Sequence, residues 1–266
     1  MGFIIYATQR SGTQMLTTAI DSHSKLRAMA ELRYHLDRTP QQVFDSVYPS
    51  ERSPDLAISS PTDPVTNWIS LMGDHDGANV KYGDINENVI KLNPSTTKII
   101  HLVRLNIFDT VVSKCLNASK KSWGGNAHIY KKKEEYSLNA TVVYSAHNAT
   151  KEFHEKNRPK SAFIPPNHVK YMMDKTAKSI AAAHTSLKPY GQNVLTVAYE
   201  DLTSNEHEAH EINPEVGKQI CDFLSVPYEK LCPATLRVNF IKNEDYIENY
   251  DEIRSLKRTI PRELIF

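Results

Sequence analysis

The sequence predicts an α/β protein of three layers, in which helices cover both faces of a central parallel sheet of about five strands. Two units with the order strand, tight turn, helix carry this prediction. Phe3–Ala7 is a short apolar run that leads through a polar turn into an apolar helical stripe. Lys98–Arg104 is a second buried strand that leads into a similar stripe. Strands that alternate with helices form parallel sheets. The length of 266 residues suits one large α/β domain, so residues 1–266 are predicted to be a single domain.

The turn after the first strand has the chemistry of an anion site. Backbone N–H groups and the positive end of a helix dipole converge on such a turn, which suits a phosphate. Arg10 adds a permanent positive charge, Gly12 supplies the tight turn, and three further side chains add hydrogen-bond donors: Ser11, Thr13 and Gln14. The common phosphate loop G-x-x-x-x-G-K-[ST] is absent, since the turn has neither the first glycine nor the Lys-Ser/Thr pair that positions magnesium.

The second unit offers another anion site. Arg104 ends the strand, residues 105–109 are predicted to turn, and a helix is predicted over Thr110–Leu116 with Ser113 on it. An arginine matches phosphate geometry with two parallel hydrogen bonds, and a serine hydroxyl can complete the shell. In a parallel sheet both sites should lie beyond the carboxyl ends of the strands.

Together these segments resemble the nucleotide-binding motifs of sulfotransferases, which take the sulfuryl group from 3′-phosphoadenosine 5′-phosphosulfate (PAPS) and use no metal. R-S-G-T at residues 10–13 resembles the 5′-phosphosulfate loop, and Arg104 with Ser113 resembles the 3′-phosphate pair. The segment between Arg104 and Ser113 is one residue longer than the segment between the arginine and the serine of the cytosolic animal pattern. The resemblance, closest to soluble bacterial carbohydrate sulfotransferases, implies the nucleotide-kinase-like sulfotransferase fold. It also implies a carbohydrate hydroxyl as acceptor and adenosine 3′,5′-bisphosphate (PAP) as product.

The same resemblance suggests the catalytic groups. Glu31 falls at the end of a partial match to a family segment and is the predicted general base, with His23 in reserve and Arg10 over the charge of the leaving phosphate. Glu31 is expected just past a second strand that neighbours the strand feeding the loop. The alternative for Glu31 is an ordinary solvated glutamate.

Other family-like segments are structural or less specific. Lys81 matches a lysine that is common in the family, although an edge-strand lysine is the alternative. Y-E-D-L at Tyr199–Leu202 is expected to be structural. Near the end of the chain, Lys242 or Arg237 could contact the nucleotide. Residues 117–166 correspond to the variable segment that faces the acceptor, where Trp123 could stack on a sugar ring or simply pack.

Composition narrows the partners. The formal net charge is +1, which gives no sign of nucleic-acid or membrane binding by bulk attraction. No apolar run approaches the length of a membrane span, and the first run is interrupted too early for a signal peptide, so we expect a cytoplasmic protein. The three cysteines, Cys115, Cys221 and Cys232, are scattered and odd in number, and the first two lie on predicted apolar helix faces, which indicates core thiols in a reducing compartment.

Two other functions stay open at this stage, and so does a homodimer. One is a metal-dependent kinase of similar fold that phosphorylates a small molecule. The missing Lys-Ser/Thr pair argues against it. The other is a non-catalytic nucleotide- or glycan-binding protein, which would bind PAP without turning over any acceptor.

Overall fold

The computed structural model describes residues 2–31, 75–82, 95–120, 129–130, 150–202, 211–236 and 242–266. The strands in these ranges are β1 (Phe3–Ala7), β2 (Arg27–Glu31), β3 (Asp76–Lys81), β4 (Lys98–Val103), β5 (Ile129–Tyr130), β6 (Val194–Ala198) and β7 (Thr235–Leu236). The α-helices are α1 (Thr13–Asp21), α2 (Ile107–Lys120), α3 (Lys151–Asn157), α4 (Pro166–Leu187), α5 (Tyr199–Leu202), α6 (Pro214–Leu224), α7 (Asn243–Tyr246) and α8 (Tyr250–Arg254). Short 3₁₀ helices cover Lys188–Asn193 and Arg262–Leu264.

Five of these strands form one parallel sheet in the order β2-β3-β1-β4-β6, and β5 pairs with β7 in a small antiparallel ribbon. All four pairings in the main sheet are parallel, with β1 between β3 and β4. The predicted α/β class and five-stranded sheet are confirmed. One expectation was wrong: β2 does not neighbour β1, because β3 lies between them.

Helices cover both faces of the sheet. On one face, α1 and α6 pack on alternate residues of β1, β4 and β6. On the other, α2 and α4 cover the residues that point the opposite way. Helical spacing in the sequence predicts an inward stripe on α4, and the structure buries it along its whole length: Val169, Met173, Thr176, Ile180, Ala183 and Leu187. This period of three to four residues buries one side of a 22-residue helix, which anchors the second face.

Two helix starts differ from the predictions. The second helix begins at Ile107 rather than Thr110, because the Asn106 side chain accepts a hydrogen bond from the Asp109 N–H at 3.1 Å and so caps it earlier. The sequence predicts Asn167 as the N-cap of α4, but this helix begins one residue earlier, at Pro166, since proline suits the first turn. The sequence also predicts Asn213 as the N-cap of α6, and this is confirmed, with Asn213 Oδ1 accepting from the Glu215 N–H at 3.0 Å.

A cluster of buried rings lies between the sheet and α4. Tyr6 of β1 and His101 of β4 are cross-strand neighbours, and the Tyr82 hydroxyl lies 2.8 Å from His101 Nε2. His184 of α4 stacks on His101, with ring centroids 6.5 Å apart. Burial, reinforced by His184, lowers the pKa of His101 to about 3. Burial also raises the pKa of Tyr6 to about 12, so Tyr6 and His101 are both uncharged at neutral pH.

After β1 and after β4 the chain passes to opposite faces of the sheet. Helix α1 follows β1 on one face, while α2 follows β4 on the other, although the two strands are hydrogen-bonded neighbours. In parallel sheets such a divergence opens a crevice at the carboxyl ends of the two strands, where ligands commonly bind. In the described ranges no helix combines the length and the apolar character that a membrane span needs.

Candidate functional site

The turn between β1 and α1 has an unusual backbone that gathers N–H groups. Arg10 and Gly12 have φ values of 65° and 86°, both in the left-handed region, with Ser11 of negative φ between them. Alternation of this kind turns successive N–H groups toward one concavity that suits an anion. The first turn of α1 adds N–H groups with no partner inside the helix. We call residues 8–14 the anion loop.

Glycine is required at position 12 for two reasons. Its left-handed φ is costly for residues with a Cβ. In addition, a Cβ built at this position would overlap the ring of Tyr199, which packs against the loop. The ring of Tyr199 therefore fixes how closely the loop approaches β6.

Two hydroxyls of the loop are occupied within the protein. Ser11 is fully buried, and its hydroxyl donates to the Thr8 carbonyl oxygen at 2.6 Å. The Thr13 hydroxyl accepts a hydrogen bond from Lys81 Nζ. Gln14 is also buried, at 8% exposure. These contacts brace the loop, so its N–H groups are better placed to serve an anion than the predicted hydroxyl donors.

The two predicted anion motifs are in direct contact. Arg10 Nε donates to the Ser113 hydroxyl at 3.1 Å, which links the anion loop to α2. Arg104 Nη1 donates to the carbonyl oxygen of Arg10 at 3.3 Å. Two arginines from segments 94 residues apart in sequence thus meet at the carboxyl ends of β1 and β4. The structure thus brings Arg10, Arg104 and Ser113 together, although the sequence analysis assigned them to two separate sites.

Arg104 is held on three sides. Its Nη2 lies 3.5 Å from an Asp109 carboxylate oxygen, and its guanidinium stacks 4.6 Å above the Tyr199 ring. Its Nε is buried and has no hydrogen-bond partner in the described part of the chain. A buried donor without a partner is costly, so Arg104 Nε is suited to donate to an acceptor that a ligand supplies.

The tetrapeptide Tyr199–Leu202 organises this region, which confirms its structural role. The Glu200 carboxylate accepts from the N–H groups of Leu105 and Asn106 at 3.1 and 2.9 Å. It thereby fixes the turn that follows Arg104. Asp201 binds Arg262 with its two oxygens, and Leu202 is in the core.

Two lysines flank the anion loop from opposite faces of the sheet. Lys81 ends β3, which lies between β2 and β1, and it is 3% exposed, so the alternative of a solvated edge-strand lysine is wrong. Lys114 of α2 approaches from the other face, with Nζ 3.2 Å from the Thr8 hydroxyl. Sequence reasoning missed Lys114, because a lysine on an amphipathic helix is normally solvated. Its position directly after Ser113 was the only available signal.

The remaining predicted residues lie elsewhere. Glu31 is the last residue of β2 and its backbone aligns with Asn79 of β3, so it ends at the same edge of the sheet as the loop. Two strand spacings, or about 10 Å, separate β2 from β1. The side chain of Glu31 lies outside the described residues, as do Trp123 and Arg237.

His23 and Lys242 have contacts that do not involve the loop. His23 follows the far end of α1, a nine-residue helix about 14 Å long. Its Nε2 lies 2.8 Å from the Pro227 carbonyl oxygen and its Nδ1 accepts from the Lys25 N–H. This position does not favour His23 as a base. Lys242 is exposed and pairs with Glu244 at 3.8 Å.

Comparison with known proteins gives weak similarities. No protein-family model matches the sequence, and no curated protein matches it. Among solved structures, the chain is similar to a sulfotransferase domain from the curacin biosynthetic pathway, with 14% identity and a TM-score of 0.44 over 85% of this chain and 74% of that one. It is also similar to a sulfotransferase from Alicyclobacillus acidocaldarius, with 12% identity and a TM-score of 0.43 over 96% and 90%. Both identities are too low to assign any site residue.

Proposed function

We propose that this protein is a sulfotransferase that moves the sulfuryl group of PAPS to an acceptor hydroxyl. The observation that carries the proposal is the contact between the two predicted anion motifs, Arg10 Nε to Ser113 Oγ at 3.1 Å. The donor carries a phosphosulfate at one position of its ribose and a phosphate at another. Two anion sites at the ends of neighbouring strands suit such a molecule better than a nucleotide with a single phosphate chain.

Each motif would bind one end of the donor. The N–H groups of residues 11–14 and the Arg10 guanidinium would hold the 5′-phosphosulfate. Arg104 and Ser113 would hold the 3′-phosphate. For this purpose Arg104 offers its Nε, which has no partner among the described residues, and the Asp109 carboxylate partly compensates its positive charge.

The chemistry is an in-line displacement at sulfur. The acceptor oxygen forms a bond to sulfur, the bond from sulfur to the 5′-phosphate oxygen breaks, and PAP leaves. Arg10 and Lys81 would stabilise the charge that develops on that phosphate oxygen. Glu31 would accept the acceptor proton, since it ends at the same edge of the sheet.

The acceptor class is inferred only from the sequence resemblance. It favours a carbohydrate hydroxyl, and residues 117–166 would face it. A screen of carbohydrate and phenolic acceptors with labelled PAPS tests both this class and turnover itself. Binding of PAP without transfer to any acceptor would favour a non-catalytic protein instead.

The donor is tested by thermal shift with PAP, ADP and ATP, the last with and without magnesium. A ligand that binds only the folded protein raises its melting temperature by mass action. We expect PAP to give the largest shift, because only PAP fills both anion sites. Equal shifts for PAP and ADP would show that the 3′-phosphate is not recognised, and a dominant magnesium–ATP shift would point to a kinase.

A further inference from the structure

Lys114 lies beside the anion loop, and the function proposed above gives its positive charge no role. Its Nζ lies 3.2 Å from the Thr8 hydroxyl and 3.3 Å from the Thr176 hydroxyl, so it donates to two neutral oxygens. Within the described ranges no carboxylate pairs with it. The charged groups that face it are Lys175 of α4 and Lys81 of β3, both of its own sign.

This environment is unfavourable for an ammonium group. Burial, reinforced by Lys175, lowers the pKa of Lys114 to about 8; Cys115 opposes this effect, and Lys81 adds a smaller lowering effect. A partly buried charge among like charges costs free energy unless an opposite charge compensates it. Thr8 is the first residue of the anion loop, so the place where a counter-charge is missing adjoins the loop.

We propose that Lys114 binds the anionic 5′ end of the donor from the α2 side of the loop, opposite Lys81. The identity of this anion rests on the proposed function, whereas the need for an anion rests on the surroundings of Lys114. The bound anion supplies the missing counter-charge. Lys81, held by the Thr13 hydroxyl, approaches the same loop from the other face of the sheet.

Anion binding is then coupled to protonation of Lys114. The bound anion stabilises the charged form, so it raises the pKa of Lys114 above its value in the free protein. Above pH 8 the free protein has lost this proton and must take one up on binding. The affinity for PAP should therefore fall as pH rises, by up to about tenfold per pH unit, until the pKa of the complex is reached.

Calorimetry with PAP and with inorganic pyrophosphate tests the coupling between pH 7.5 and 9.5. Each titration is run in two buffers of different ionisation enthalpy, which measures proton uptake directly. Wild type should take up a growing fraction of a proton. K114M should bind PAP about 10- to 150-fold more weakly at pH 7.5, the range for a lost charged hydrogen bond, and without proton uptake. K114R should keep the affinity but lose the pH dependence, since arginine stays charged.

A matched control and a stability measurement separate binding from folding. Lys178 is an exposed lysine of α4, and K178M should behave as wild type. Without ligand, K114M should melt at or above the wild-type temperature, because it removes an uncompensated cation. A clearly lower melting temperature for both K114M and K114R would show that Lys114 supports the fold, and would overturn the inference.

The results for the two ligands keep the two proposals apart. If K114M weakens pyrophosphate binding but PAP binds no better than ADP, the inference on Lys114 holds and the sulfotransferase proposal fails. If PAP is preferred over ADP and K114M binds PAP like wild type, the inference on Lys114 fails and the sulfotransferase proposal holds. Proton uptake that persists in K114M overturns the inference, and so does the absence of anion binding by wild type.

Discussion

Replacement of His101 by glutamine should remove a pH-dependent part of the stability. His101 is fully buried, its Nε2 contacts the Tyr82 hydroxyl, and its Nδ1 has no partner among the described residues. Protonation would place a positive charge on the buried His101 ring, next to the ring of His184. The folded protein therefore resists protonation of His101, whereas the unfolded chain does not.

The magnitude follows from the two pKa values. The pKa of His101 is about 3 in the folded protein against an ordinary histidine value of 6.5, so the unfolded state binds more protons between these limits. Stability is then lost as pH falls through 6.5 and toward 3. Linkage at 1.36 kcal/mol per pKa unit gives a loss of about 2 kcal/mol between pH 7 and pH 5 from this residue alone.

Urea unfolding of wild type and H101Q at several pH values from 7 to 5 measures this contribution. The difference in unfolding free energy that is constant with pH reports the change in packing. Only the part that varies with pH reports the protonation of His101. We expect the free energy of unfolding of wild type to fall by about 2 kcal/mol more than that of H101Q over this range. Exposed His168 provides the control variant H168Q. Parallel curves for wild type and H101Q would refute the reasoning.

Three further predictions concern the anion sites. Gly12→Ala should lower the melting temperature and abolish the shift with PAP, because the new Cβ meets the Tyr199 ring at a left-handed φ; an unchanged shift would contradict the loop geometry. Arg104→Ala should weaken PAP binding by about 1.5 to 3 kcal/mol and Ser113→Ala by less, as measured by calorimetry; wild-type affinity for Arg104→Ala would remove this motif from the site. Glu31→Gln should keep PAP affinity, lower turnover at least about tenfold and displace the acidic limb of the pH profile; normal turnover would exclude Glu31 as the base.

Local patterns predicted the layers of the fold well. The strand Phe3–Ala7 and the stripe of α4 follow from sequence pattern and lie where they were expected, and the strand predicted over Lys98–Arg104 ends one residue earlier, at Val103. The order of the strands did not follow. The hydrophobic pattern of a buried strand is the same whichever strand it pairs with. The residues of β2 therefore do not show that β3 separates it from β1.

The candidate site was predicted in part. Charge and spacing indicated Arg10, Arg104 and Ser113, because each belongs to a short recognisable segment. The inward direction of the Ser11 hydroxyl could not be predicted, since it depends on the path of the backbone around the Thr8 carbonyl. Lys114 was missed for a similar reason. Only the packing of α2 against α4 shows that its ammonium is withdrawn from solvent.

The backbone of Arg10 connects these observations. A left-handed φ at a residue other than glycine costs about 1 kcal/mol or more, and it persists only where the surroundings hold it. Contacts at both ends of Arg10 help to hold it, because its Nε donates to the Ser113 hydroxyl and its carbonyl oxygen accepts from Arg104. Both partners belong to the second anion motif. The strained conformation that points the loop N–H groups at one spot thus depends on the residues that would bind the other phosphate, so a change at Arg104 should also be felt at the loop.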